Sequence, residues 1–488
     1  MARRTSGRWM ASTVSLLGLV AASLVGQTEA RAVRPDSARI IDHWTPERRA
    51  QAIPRDLVID ERGYGYLKHA DGTLEPYGHS VAPKTPLGKP VVGGDTAGPV
   101  ITAMDPTANA SIGTTYTFAA TVTDSSGIKS VTFYLVNPSS VAQSATPTGA
   151  GGVYSKSLSG LTPGSWSWYV VAKDNSGRAN TTTSATINFT VGGTPPPDLG
   201  VVANAQWAAG GAVQTAAGRI YFYMPTSKRL TRWAGYVCSG TVITDTATDR
   251  SIIVTAAHCV YDDVNKAFAK DVMFIPNQAG TTAPGTDRTC SNDPIGCWTP
   301  SFAVVDVDWT TRTFPANEQW DYAYYVVNAA GSHISGINGA VDLLEAAAGN
   351  LPISFGSPIA DDLVNNGPTA PDYTFALGYS YAMDPHFMYC AEDMTKEGLV
   401  NWWLPNCGLT GGSSGGPWIQ PMDVTTGSGQ IISVNSWGYT SQPGMAGPQL
   451  DRNTAAQVLA IASCASFTVA GAGPGKAGIA VTATTSCQ

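Results

Sequence analysis

All eight cysteines of this 488-residue chain lie in its last 251 residues: Cys238, Cys259, Cys290, Cys297, Cys390, Cys407, Cys464 and Cys487. An even set confined to one region, in a chain with an export-type N-terminus, points to disulfides made in an oxidising compartment. A metal reading is weak, since no Cys-x-x-Cys pair occurs and the chain has only six histidines. Charged residues make up 13 % of the chain, whereas Gly, Ser, Thr, Ala and aromatics are abundant, which favours β-rich, loop-rich domains over long amphipathic helices. The net charge of −7 argues against a nucleic-acid partner.

The first 32 residues read as a secretory signal. Arg3, Arg4 and Arg8 supply the basic start, Ala11 to Val25 the apolar stretch, and Ala30-Arg31-Ala32 a small-x-small cleavage site. The apolar stretch falls short of the ~20 residues a spanning helix needs. Export without a retained membrane anchor is therefore expected. Residues 33–98 read as a pro-region and linker, with one legible helix start. In Trp44-Thr45-Pro46-Glu47 the threonine can cap, proline suits the first helical position, and glutamate meets the positive helix end. Pro54 is expected to stop that helix. The stretch from Pro83 to Gly98 is linker-like.

Residues 99–191 read as one antiparallel β-sandwich. Thr115–Val122, Val131–Val136, Trp166–Ala172 and Ala185–Val191 are strand-length and rich in β-branched and aromatic residues, with turns at Asp124–Gly127, Thr162–Gly164 and Asp174–Gly177. Alternation places Trp166, Trp168 and Val170 on one face, expected to be core; exposed, the two tryptophans would instead suit a carbohydrate or cell-surface ligand. The pattern resembles bacterial immunoglobulin-like or fibronectin-like modules. Residues 192–200 form a Gly/Pro linker and residues 201–488 a third domain.

That last region holds the chemistry. In Cys407-Gly408-Leu409-Thr410-Gly411-Gly412-Ser413-Ser414-Gly415-Gly416-Pro417-Trp418, glycines on both sides of Ser414 permit a sharp turn and let backbone N–H groups face a reacting carbonyl. A serine hydroxyl needs a base and donors for the oxyanion its attack creates. Gly412 and Ser414 are the natural donors. Gly412-x-Ser414-x-Gly416 also fits a lipase-type nucleophile elbow, but that order needs a histidine after the serine, and the last histidine is His386. An upstream base is available: the apolar run Ser251–Thr255 leads through Ala256-Ala257 to His258 and Cys259. For an orienting acid, Asp306 and Asp308 lie in one candidate stretch. Asp321, just before the apolar run Tyr322–Val327, is favoured.

Cys238-Ser239-Gly240-Thr241, Thr255-Ala256-Ala257-His258-Cys259, Asp321-Tyr322-Ala323, Gly412–Pro417 and Ser436-Trp437-Gly438 resemble, in order, the motifs of chymotrypsin-like (trypsin-family) secreted serine peptidases. The resemblance covers roughly Val201 to the C-terminus. It implies an all-β chain with a chymotrypsin-like double β-barrel peptidase domain preceded by the immunoglobulin-like β-sandwich. It also implies His258 as general base, Asp321 as its carboxylate and Ser414 as nucleophile, with no cofactor and no metal. Neighbouring cysteines are expected to pair, 238 with 259, 290 with 297, 390 with 407 and 464 with 487, and the resemblance supports the first pair. Gly408 matches the base of the primary specificity pocket, and Ser436, Trp437 and Gly438 the edge that pairs with an extended peptide.

The chain departs from relatives at three places. Gly408 is not aspartate, so trypsin-like cleavage after Lys or Arg is not expected. Asn435 is not the histidine of glutamate-specific relatives. Ser413 replaces the aspartate that receives a freed N-terminus, so activation would come from removal of upstream residues, with the linker near 192–200 the accessible place. The expected partner is a protein or peptide substrate, with no nucleic acid and no membrane once the signal is gone. The alternatives are an inactive peptidase-like binding protein and a secreted esterase using the same three residues.

Overall fold

A computed structural model of the chain describes residues 35–78, 97–192 and 200–487. Residues 109, 139–140, 151, 178, 283–288, 330, 340, 357, 359, 361–366, 369, 452–453 and 467–474 are not described. The signal segment, most of the Pro83-to-Gly98 linker and most of 192–200 fall outside the described residues. The chain is all-β in class, with short helices between strands.

Between residues 100 and 191 two mainly antiparallel sheets share one core. The expected strands appear as Thr115–Thr123, Ile128–Val136, Gly164–Asp174 and Ile187–Val191. Trp168 pairs with Leu135 on one side and Ile187 on the other, at the sheet centre. Its ring meets Phe118 and Phe133 edge-on at 5.2 and 5.3 Å, and its indole N–H donates to the Pro106 carbonyl at 3.0 Å. Trp166 and Trp168 are buried, so neither ring offers a face for a sugar. They act as core, which the period-two alternation anticipates.

From residue 200 onward the chain builds a large sheet and two smaller ones that share cores. The large sheet runs through Lys270–Pro276, Ala217–Pro225, Trp233–Ile243, Arg250–Thr255, Ala323–Asn328 and Phe302–Asp306 as consecutive neighbours. Ser251 to Thr255 is buried at every position. A second sheet orders Val202–Gln206, Met388–Asp393, Tyr373–Gly378, Pro417–Asp423 and Ser428–Val434. The third contains Asn401–Leu404, Met445–Pro448 and Trp437–Tyr439. Four disulfides join Cys238–Cys259, Cys290–Cys297, Cys390–Cys407 and Cys464–Cys487. They suit an oxidising, extracytoplasmic setting. Among the described residues, no helix is long and apolar enough to cross a membrane.

Residues 35–78 have more structure than their sequence suggests. Thr45 does cap the short helix Pro46–Ala50, accepting from the Arg48 N–H. The helix stops at Ala50, and Pro54 sits in the following strand instead of ending the helix. Asp56–Ile59, Gly65–Lys68 and Leu74–Pro76 are strands of the third sheet. Trp44 is buried against Tyr221 and Tyr223. Strands of residues 53–76 are thus built into the sheets formed by residues 200–487.

Trp168→Ala is expected to cost about 3–5 kcal/mol, the usual range for emptying an aromatic core site. Chemical denaturation followed by near-UV circular dichroism of the sandwich tryptophans would measure it.

Candidate active site

One strand register brings His258 and Asp321 together. Thr255 pairs with Ala323 in the antiparallel ladder between Arg250–Thr255 and Ala323–Asn328. His258 lies three residues beyond that pair and Asp321 two before it, so both emerge at the same strand end. The His258 backbone N–H donates to Asp321 Oδ1 at 2.8 Å, and Nδ1 lies 2.7 Å from Oδ2. Both side chains are fully buried. Ser436 Oγ donates to Asp321 Oδ2 at 2.5 Å. A carboxylate held by three donors fixes the imidazole with Nδ1 protonated and Nε2 free to take a proton. His258 Nε2 has no hydrogen-bond partner among the described residues.

The other two aspartates are engaged elsewhere. Asp306 accepts from the Asp308 N–H and the Tyr322 hydroxyl, and Asp308 pairs with Arg312 at the surface.

The loop carrying Ser414 is fastened to the same strand end. Ser239 N–H donates to the Ser414 carbonyl at 2.8 Å, and Ser239 Oγ donates to the Gly412 carbonyl at 2.9 Å. Cys238 is disulfide-bonded to Cys259, next to His258, so one strand anchors both the histidine and the serine loop. Asn435, fully buried, donates to the Leu377 and Ser413 carbonyls and accepts from the Trp418 indole. Gly412 sits at φ +96°, where a Cβ would come within 2.9 Å of the Tyr379 carbonyl. Gly415, at φ +80°, packs so closely that a Cβ would stand 2.1 Å from Thr255 Oγ1. The glycines flanking Ser414 therefore serve both the turn and its close approach to the histidine element. The backbone N–H groups of Gly412 and Ser414 donate to no described residue.

The remaining expected residues have mixed roles. Gly408 donates to the Ala203 carbonyl and its own carbonyl accepts from Asn204, which places it beneath the Val202–Gln206 strand. Ser436 turns its hydroxyl to Asp321, so its side chain supports the acid. Trp437 is buried against Trp403 and Tyr439. Gly438 lies in a strand whose edge is already paired. Cys238, His258 and Cys259 cluster closely enough to suggest metal ligands. The two sulfurs are tied to each other and cannot act as thiolates.

The strand on that edge comes from the N-terminal segment, residues 56–59. Leu57, Val58 and Ile59 pair in parallel with Trp437, Gly438 and Tyr439. Just upstream, Ile53 and Pro54 pair in parallel with Tyr236 and Val237. Between the two pairings Arg55 crosses Ser414, whose Oγ donates to the Arg55 carbonyl at 3.0 Å. The Arg55 side chain, 1 % exposed, meets Asp262 at 3.2 Å and the Tyr77 hydroxyl at 2.6 Å, and lies over the Tyr77 and Tyr236 rings.

Sequence reasoning missed this segment. A hairpin was legible in Leu57-Val58-Ile59, the turn Asp60-Glu61-Arg62-Gly63, and Gly65-Tyr66-Leu67. Nothing in the sequence says which edge the hairpin joins.

Asp56 follows Arg55 and packs beside Gly411. Burial pushes its carboxyl up to about 6, with Lys68 and His258 pulling weakly the other way.

No family model matches the chain, and no curated protein matches it. Solved structures give partial likenesses. CopC from Methylosinus trichosporium OB3b is 10 % identical at TM-score 0.17, covering 19 % of this chain and 92 % of its own. The fibronectin(III)-like modules of Clostridium thermocellum CbhA are 20 % identical at TM-score 0.15, covering 19 % and 93 %. A tetra-tandem repeat from the extending region of a large adhesion protein is 11 % identical at TM-score 0.15, covering 58 % and 83 %. Likenesses this slight carry no functional argument, and the reading of the site rests on its chemistry.

The Asp56 carboxyl gives a pH prediction. A half-buried acid with a raised pKa favours the docked strand when protonated, so docking is strongest below the usual carboxylate range and weakens as pH rises through about 6. Hydrogen exchange at the amides of residues 57–59, corrected for intrinsic rates, should show less protection at pH 7.5 than at pH 5. Asp56→Asn should flatten that difference.

Proposed function

We propose that this chain is a secreted serine endopeptidase that hydrolyses peptide bonds through Ser414, His258 and Asp321 and an acyl-enzyme intermediate. The observation that carries the reading is the buried His258–Asp321 pair, with the Ser414 loop tied to the same strand end. A chymotrypsin-like double β-barrel is the architecture proposed for residues 201–488. It is supported by mainly antiparallel sheets with shared cores, His258 and Asp321 at one strand end of the large sheet, and Ser414 in a loop between the other two. The basic-then-apolar N-terminus and the four disulfides support secretion.

In this reading His258 Nε2 takes the Ser414 proton as Oγ attacks the carbonyl carbon of the scissile bond. The oxyanion accepts from the Gly412 and Ser414 N–H groups. Imidazolium then gives its proton to the departing amine, and the acyl group stays on Oγ. Water, deprotonated by the same nitrogen, releases the acid and restores the serine. Asp321 stabilises the imidazolium throughout, and Ser436 holds Asp321. Burial sharpens these interactions, because a charge in a dry site is poorly screened. Ser414 must first turn its hydroxyl from the Arg55 carbonyl to His258.

Ser414→Ala in the exported, processed protein should abolish casein hydrolysis, leaving only the residual that binding and oxyanion donors supply. Hydrolysis that persists in this variant would remove Ser414 from the mechanism. A parallel assay on a simple acyl ester separates peptidase from esterase. Ser436→Ala should lower kcat/KM by about tenfold, the equivalent of one charge-assisted hydrogen bond, with KM little changed. Its fit is checked by the same casein assay.

A further inference from the structure

We propose that residues 53–59 are a tethered, non-productive occupant of the substrate cleft, anchored by an Arg55–Asp262 clamp that must open before Ser414 can act. The inference rests on the peptidase reading and adds to it a named inhibitory segment, its mode of binding and its anchor.

Three observations carry it. First, the segment spans the cleft. It hydrogen-bonds as a strand to Tyr236–Val237 on one wall and to Trp437–Tyr439 on the other, with Arg55 over the serine. A substrate needs the same edge at 437–439, so the two cannot bind together. Second, the contact at the serine is the wrong one for attack. The hydroxyl donates its hydrogen bond to the oxygen of the Arg55 carbonyl. That leaves His258 Nε2 without a partner. It also leaves the Gly412 and Ser414 N–H groups unused, where a reacting carbonyl would place its oxygen. The peptide is held at the nucleophile without being poised for cleavage. Third, the anchor is built in advance. Asp262 accepts from the N–H groups of Val264 and Asn265, which fixes its turn, and its other oxygen faces the guanidinium of Arg55. Tyr77, at the end of the same pro-region, closes over Arg55 and donates to Asp263. Asp263 also holds the Phe314 N–H and Asn317. A buried guanidinium between a carboxylate and two aromatic rings is lost only if the whole hairpin leaves, because either partner left alone would be a buried, uncompensated charge.

The test uses the full chain and a fluorophosphonate that labels an activated serine. Wild type should label slowly, and Arg55→Ala and Asp262→Asn should each label at least tenfold faster. The double variant should label no faster than either single one, because both remove the same clamp. Arg55→Lys keeps the charge but not the planar fork and should fall between. Melting curves establish that each variant is folded; if Arg55→Ala is not, Asp262→Asn and Arg55→Lys carry the comparison. Hydrogen exchange supplies a readout independent of catalysis: the amides of residues 57–59 should lose protection in the fast-labelling variants. Wild-type labelling as fast as the folded variants would overturn the proposal. So would unchanged protection at 57–59 when the clamp is cut. Loss of protection with no labelling in any form, including chain trimmed of the segment by an added protease, would sink the peptidase reading while leaving the clamp standing.

Discussion

The buried bond between His258 and Asp321 sets the terms for the rest of the structure. Two ionisable side chains without solvent are costly unless each is oriented and paired. Here the orientation comes from strand register. The Thr255–Ala323 pairing delivers both residues to one strand end, the His258 backbone N–H and the Ser436 hydroxyl complete the carboxylate's hydrogen bonds, and the Cys238–Cys259 disulfide fixes the turn that carries the imidazole. A one-residue slip in that ladder would point His258 and Asp321 to opposite faces.

Much of this site was legible in the sequence because the chemistry uses short, local signals. Glycines around Ser414 announce a tight turn, and the structure puts two of them at positive φ against backbone or hydroxyl neighbours. An apolar strand ending in small residues before His258 announces a buried base. The choice of Asp321 over Asp306 followed from its place before a second apolar strand, and the observed register brings it to His258. The sandwich was legible for a different reason: period-two alternation around Trp166 and Trp168 says which faces are buried.

What the sequence hid are long-range pairings. Asp56–Ile59 and Gly65–Lys68 are ordinary strand material, and their partner at Trp437–Tyr439 is almost four hundred positions away. A strand edge has no residue code for its neighbour, because main-chain groups make the bonds. Arg55 gave no hint either; an isolated arginine is usually exposed, and its burial depends on Asp262 and Tyr77 arriving from two other elements. The same holds for Ser436, whose motif position suggested contact with substrate while its hydroxyl serves Asp321. The segment at 53–59 therefore carries no sequence mark of the strands it joins at Tyr236–Val237 and Trp437–Tyr439.

In the proposed mechanism Ser414, His258 and the two backbone donors form one reacting centre. A crystal structure of the processed protein with a peptide boronate tests it most directly. The account predicts boron bonded to Ser414 Oγ, one boronate oxygen accepting from the Gly412 and Ser414 N–H groups, His258 Nε2 facing the adduct, and the 53–59 strand gone from the 437–439 edge. A boronate bound to another residue, or bound without touching Ser414, would contradict it.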